Sequence, residues 1–231
     1  MAGREPLLVE GVFEIADRMS AAGIEVSLFT GGWSLRPEMI DDIVRGSFRV
    51  SVSVDGATAE VHDRIRGRRG SFDRAMNALA LLDEAAERRR LNGGSRLGLG
   101  IDCVVVRGNF HQLEDFCTVI APGFPQLESI ALGAVIPEGL ASREGFAEHE
   151  PLSDSQVGLL GSAEYGELLR SLTPSSVHVS TTDNLALQMH PDLIRSGRFF
   201  PVLQIEPDGA ARAMAAYEGT VGNVLTDPVR R

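Results

Sequence analysis

At 231 residues the chain is long enough for one large domain, or one domain with a small appendage, around a substantial core. Its hydrophobic share of 43% and charged share of 23% are those of an ordinary globule, and a net charge of −10 argues against nucleic acid, whose phosphates need a cationic face. All 22 cationic residues are arginine, which excludes a Schiff-base lysine and with it pyridoxal phosphate chemistry.

In chain order, Leu8, Val12, Ala16 and Met19 recur at helical spacing and Gly23 follows as a C-cap, so residues 7–22 read as an amphipathic helix. Residues 24–30 are a strand ending in Gly31-Gly32, and Pro37 opens a short helix through Ile40 and Val44. Phe48 to Val54 is a second β-branched run, closed by the turn signal Asp55-Gly56. A long helix is expected from Ser71, its N-cap candidate, through Leu79 and Leu82. After the loop at 91–95, Leu97 to Val106 reads as a third strand, Phe110 to Ile120 as a helix, and Ile130 to Ile136 as a fourth strand. Strands alternating with helices predict a parallel sheet with right-handed crossovers, α/β of the barrel or doubly wound kind, with too few strands to close an eight-stranded barrel. Pro137 to Pro151 reads as a loop and Val157 to Leu172 as a helix. Val177 to Thr181, Phe199 to Glu206 and Ala210 to Met214, with the turn Pro207-Asp208-Gly209, read as a small antiparallel unit.

No run reaches the roughly 18 apolar residues of a spanning helix, and the first residues carry no hydrophobic signal segment, so the expected location is the cytoplasm, away from membranes. Cys103 and Cys117 lack metal-site spacing and read as reduced, packed thiols. The five histidines are scattered without an i, i+4 pair, and none reads as a metal ligand.

Several segments, in order, resemble the radical S-adenosylmethionine (radical SAM) enzymes. Gly3-Arg4-Glu5-Pro6-Leu7-Leu8 is similar to their Gly-Gly-Glu-Pro-Leu-Leu segment, Ser27 to Gly32 to the strand ending Thr-Asn-Gly, and Val52 to Gly56 to the Ser-Ile-Asp-Gly strand. His62 to Gly67, Gly70 to Ala75 and Val104 to Asn109 resemble later segments, and Ile136 to Ala141 resembles the Ile-Pro-Thr-Gly-Arg-Ala stretch of the peptide-modifying branch. Gln204 to Gly209 and Gly219 to Val224 are similar to the hairpin and Gly-Asn strand of its SPASM or twitch extension.

The resemblance implies a partial (β/α) TIM-like barrel over 1–150, open on one side, and a SPASM/twitch-like extension over 151–231. It implies S-adenosylmethionine (SAM) as cofactor. It maps the amino-group contacts onto Gly3 and Glu5, with Pro6 fixing the turn, places Thr30 in the ribose loop, and puts the SAM carboxylate on Ser53 and Arg66, where a guanidinium fork suits it. In the family three thiolates of a CxxxCxxC loop hold a [4Fe–4S] cluster whose fourth iron takes the SAM amino and carboxylate groups. That motif is absent from these residues, and no cysteine follows Cys117, so the cluster is not expected on this chain and the implied peptide-modifying activity is not expected of it alone. The competing reading is a cluster-free pseudoenzyme that binds SAM, a peptide or a partner enzyme. An open sheet edge further predicts dimerisation.

Overall fold

The computed structural model describes residues 5–45, 49–94, 96–136, 150–183, 204–206, 208–212 and 219–228. The chain divides into two units, residues 1–137 with 141–183, and residues 138–140 with 184–231.

The first unit is built on five parallel strands, β1 (Ser27–Thr30), β2 (Arg49–Ser53), β3 (Gly98–Val105), β4 (Leu127–Ala134) and β5 (His178–Thr182), lying in sequence order. Strict sequence order is what one βα unit after another produces, each crossover returning the chain beside the strand it left. This is the parallel α/β sheet expected from the alternation, and it matches the partial TIM-like architecture that the resemblance implies. The β-branched and leucine-rich positions of each strand alternate with small or polar ones: Val50, Val52, Leu99, Ile101, Ile130 and Leu132 are buried with the helices. Ser51, Ser53, Asp102, Ser129 and Ala131, on the other face, remain partly exposed. Period-two patterning therefore covers one sheet face with helices and leaves the other polar.

The helices are α1 (Val12–Ala21), α2 (Ile40–Arg45), α3 (Ala59–Arg66), α4 (Ser71–Leu91), α5 (Leu113–Asp115), α6 (Asp154–Leu160) and α7 (Ala163–Leu172). The helix expected over 7–22 starts only at Val12, because Pro6–Leu8 forms a 3₁₀ turn and Gly11, at φ 78°, turns the backbone left-handed between them. The single helix expected from Val157 to Leu172 is two, each with its own serine cap: Ser153 for α6 and Ser162, whose hydroxyl accepts from the Tyr165 N–H, for α7. The Phe110 to Ile120 helix is a 3₁₀ turn, one α turn and a π segment over Phe116–Ile120.

The expected antiparallel placement of Val177 to Thr181 is corrected by the sheet. Val179 lies opposite Ile130 in a parallel ladder with β4 and is fully buried, a fifth βα return rather than a hairpin arm. The fourth strand also starts earlier than Ile130, at Leu127.

The second unit contains a three-stranded antiparallel sheet, β6 (Gln204–Ile205), β7 (Ala210–Arg212) and β8 (Gly222–Asn223). Asp208 accepts from the Ala210 N–H at 3.0 Å and Gly209 sits at φ 81°, the left-handed position a tight turn reserves for glycine. Pro137 to His149, Phe199 to Leu203, Pro207 and Ala213 to Met214, on which further expectations fall, lie outside the described residues.

Candidate functional site

The expected site residues converge on the C-terminal ends of β1 and β2, except for Gly3, which lies outside the described residues. Glu5 caps the 3₁₀ turn that Pro6 opens. Its carboxylate takes three donors, the Thr30 hydroxyl at 2.8 Å, the Gly31 N–H at 3.1 Å and the Leu7 N–H at 3.3 Å. Thr30 is 2% exposed and its hydroxyl also accepts from the Gly32 N–H at 3.0 Å. Glu5 and Thr30 are thus one hydrogen-bonded unit binding the 3₁₀ turn to the end of β1. Gly32, at φ 75°, is required there: a Cβ would fall 2.9 Å from the Ala78 Cβ and 3.1 Å from the Arg74 carbonyl.

On the neighbouring strand, Ser53 closes β2 one residue after Val52, the register partner of Thr30. Two residues on, Asp55 is 3% exposed and every polar group it carries is used. Its carboxylate accepts from the Val104 N–H at 2.9 Å and pairs with Arg66 Nε at 2.7 Å. Its N–H donates to His62 Nδ1 at 2.9 Å, and its carbonyl accepts from Asn109 Nδ2 at 3.0 Å. Burial pushes the Asp55 carboxyl up, opposed by the Arg66 charge and the Val104 N–H. Arg66 closes α3, a helix not expected from the sequence. Thr58, whose hydroxyl accepts from the Val61 N–H, and Gly67, at φ 63°, cap its two ends.

Sequence reasoning gave no role to Asp102, Asn109 and His62. Asp102 is the register partner of Ser53, and burial, then the negative charge of Asp55, pushes its carboxyl up. Its only signal in the sequence was a lone acid inside an apolar strand. Asn109, fully buried, also donates to the Val104 carbonyl at 2.9 Å and accepts from the Val106 N–H at 2.8 Å, fixing the exit of β3 against Asp55. His62, 1% exposed, has its pKa lowered to about 4, first by burial and then by Arg66. With Nδ1 accepting from Asp55, the neutral ring carries its proton on Nε2.

The arrangement therefore offers a fixed guanidinium whose Nε is anchored, a strand-end serine, and two carboxylates in differing environments. Cys103 is 2% exposed with Asn109 Nδ2 3.7 Å from its sulfur, Cys117 is fully buried with its thiol donating to the Leu113 carbonyl at 3.8 Å, and burial pushes both thiols up. Two buried thiols on different elements do not fit a [4Fe–4S] cluster held by three thiolates.

Residues 1–92 match the sequence profile of the Radical SAM superfamily. The chain is 32% identical to the mycofactocin maturase MftC of Mycobacterium tuberculosis over 98% of its own length and 55% of the other, and so spans about half of that relative. A stretch covering 37% of this chain and 25% of the other is 43% identical to the AdoMet-dependent heme synthase of Methanosarcina barkeri. The structure of Streptococcus suis SuiB superposes with a TM-score of 0.69 at 14% identity, over 98% of this chain and 53% of SuiB. SuiB bound to S-adenosylmethionine or to its precursor peptide SuiA gives 0.68 and 0.67, a likeness of fold. The ordered motifs, the one-faced parallel sheet and these matches together place the chain in the radical SAM superfamily.

Proposed function

We propose that this chain is the SAM-holding barrel portion of a peptide-modifying radical SAM protein of the ribosomal-peptide maturase type. These 231 residues by themselves carry no [4Fe–4S] cluster and are inactive alone. The observation that carries the SAM assignment is the anchoring of Arg66 Nε on buried Asp55, at the end of the strand that Ser53 closes. A guanidinium fixed by one nitrogen keeps its outer nitrogens for a second carboxylate, and Ser53 adds a hydroxyl. Glu5, with Gly3 beside it in sequence, takes the amino group: a carboxylate has about four acceptor directions, and three are filled by Thr30, Gly31 and Leu7. Pro6 holds the turn, and Thr30 positions Glu5 at the ribose loop. The naming of MftC as a maturase and the complexes of SuiB with SAM and with a precursor peptide support this reading.

A second reading, a cluster-free module that binds SAM, a peptide or a partner enzyme, is favoured by the burial of both thiols. Either protein works in the cytoplasm, and a dimer through a free sheet edge belongs to both. Anaerobic reconstitution with iron and sulfide, followed by iron analysis and calorimetric titration with SAM, tests the proposal. The expected result is measurable SAM heat, iron well below one cluster per chain, and a Kd raised about tenfold by Ser53→Ala or Arg66→Ala, the loss of roughly 1.4 kcal/mol. Absence of SAM heat overturns the SAM assignment, and a stoichiometric [4Fe–4S] chromophore overturns the cluster-free one.

A further inference from the structure

Trp33, the single tryptophan of the chain, follows Gly31-Gly32 directly after β1 and is half-buried. The Arg68 guanidinium carbon lies 3.3 Å from its ring centroid, and that of Arg74 5.3 Å. Arg68 lies in the loop between α3 and α4, and Arg74 in the first turn of α4, so one indole gathers two cations from separate places in the sequence. Both arginines are exposed. Neither forms an ion pair with a carboxylate among the described residues. Asp63, five residues before Arg68, is engaged elsewhere: it accepts from the Gly70 N–H at 2.5 Å, the Ser71 hydroxyl at 2.9 Å and the Phe72 N–H at 2.8 Å. Residues 64–74 carry five arginines against Asp73, a local charge of +4 (5 − 1) in a chain of net −10.

We propose that Trp33, Arg68 and Arg74 dock an acidic segment of the peptide substrate beside the SAM site; the inference rests on the peptide-modifying reading above and names the charge of that peptide. Two like charges held at one ring repel each other and gain from an anion placed between them, while the indole face holds each guanidinium in position. The chemistry favours spaced carboxylates over phosphate. A phosphate is best held by free backbone N–H groups at a helix start, and at α4 the Gly70 and Phe72 N–H groups already go to the Asp63 carboxylate and the Ser71 N–H to the Arg68 carbonyl. Two guanidinium forks gathered at one aromatic ring from separate elements match carboxylates distributed along an extended chain. The position fits as well: Gly31, whose N–H holds Glu5, stands two residues before Trp33.

Because Trp33 is the only tryptophan, its fluorescence reads this site and no other. The full chain is titrated with a short aspartate-rich peptide free of aromatic residues, and with its asparagine analogue, at low and at moderate salt. The expected result is a saturable change in Trp33 emission with the aspartate peptide and none with the analogue. Affinity should fall about tenfold as salt is raised to physiological strength. Arg68→Gln and Arg74→Gln should each weaken binding several-fold, and Arg88→Gln, on the far end of α4, should leave it unchanged. Equal response to the asparagine peptide, indifference to salt, or displacement by inorganic phosphate at concentrations below those of the peptide overturns the proposal. Should the arginine variants fail to fold, the peptide pair and the salt series on the unaltered chain still decide it. Calorimetry with SAM on the same samples separates the two readings. Peptide binding without SAM heat sinks the SAM assignment and leaves the acidic-peptide site standing; SAM heat without peptide response does the reverse.

Discussion

His62 is held neutral by its surroundings, buried, beside Arg66 and accepting the Asp55 N–H through Nδ1. Its folded pKa of about 4 lies below the ordinary histidine value near 6.5, so between those two pH values the unfolded chain binds a proton that the fold refuses. Stability is therefore lost as pH falls through that window, by at most about 1.4 kcal/mol per pH unit. Asp55 and Asp102, whose carboxyls are pushed up, act in the opposite sense, since the fold keeps their protons longer than the unfolded chain does. The contribution of His62 is accordingly the difference between the unaltered protein and His62→Gln. Urea midpoints measured from neutral pH down to about pH 4 should converge for the two proteins as pH falls. Ser53, Arg66, Glu5 and Thr30 could be named as site candidates because each stands in a short run that a resemblance can match. Asp55, which anchors Arg66, could not be. Asp55 read alone is a turn residue, and its partners Val104 and Asn109 lie 49 and 54 positions away, a distance at which no local pattern speaks.

Elements were legible in kind and less so in extent. Helix α4 was expected from Ser71 as its cap, but Gly70, at φ 81°, holds the cap position and the Asp63 carboxylate supplies the acceptor that a capping serine would have given. The Asp63 carboxyl lies below its usual range, first through its hydrogen bond from the Phe72 N–H, so its support of α4 is present above that range and is lost as pH falls through the lowered value. Asp63→Ala should lower the urea midpoint at neutral pH and change little in strong acid. Gly32→Ala tests the close approach of β1's exit to α4. It forces an L-residue to φ 75° and places a methyl against Ala75 and Ala78, with an expected cost of about 2–4 kcal/mol in denaturation experiments. Helix α3 went unread because it is only eight residues long, mostly polar, and buries two side chains, too short a stripe for periodicity to register.

At the scale of the whole molecule, the alternation of strand and helix specified a parallel sheet, and four of its five strands were placed from sequence. The fifth was missed as a member because Val177 to Thr181 shows the same half-buried alternation as a hairpin arm; what identifies it is Val179 against Ile130, a long-range pairing. Within the described residues β1 and β5 are the outermost strands of this sheet, and an edge strand is where another chain can pair. Sedimentation at tens of micromolar, a range in which edge pairing counts, should show self-association. A well-behaved monomer would remove the dimer from the proposed function.

The π segment at Phe116–Ile120 reaches further than its five residues. A π turn bonds one residue farther along the chain than an α turn does, so it accommodates an inserted residue while Leu113 before it, Phe116 and Ile120 at its two ends and Ala121 after it all stay buried. The sheet does the same nearby: between Leu99 and Gly100 the partner on β4 jumps from Leu127 to Ser129, bulging out Glu128. Elsewhere in the sheet a one-residue insertion would turn a strand's buried side chains to the wrong face. The stretch from the π segment to Glu128 is thus where a one-residue change in chain length is absorbed locally, while Ser53 and Asp102 keep their places on their strands.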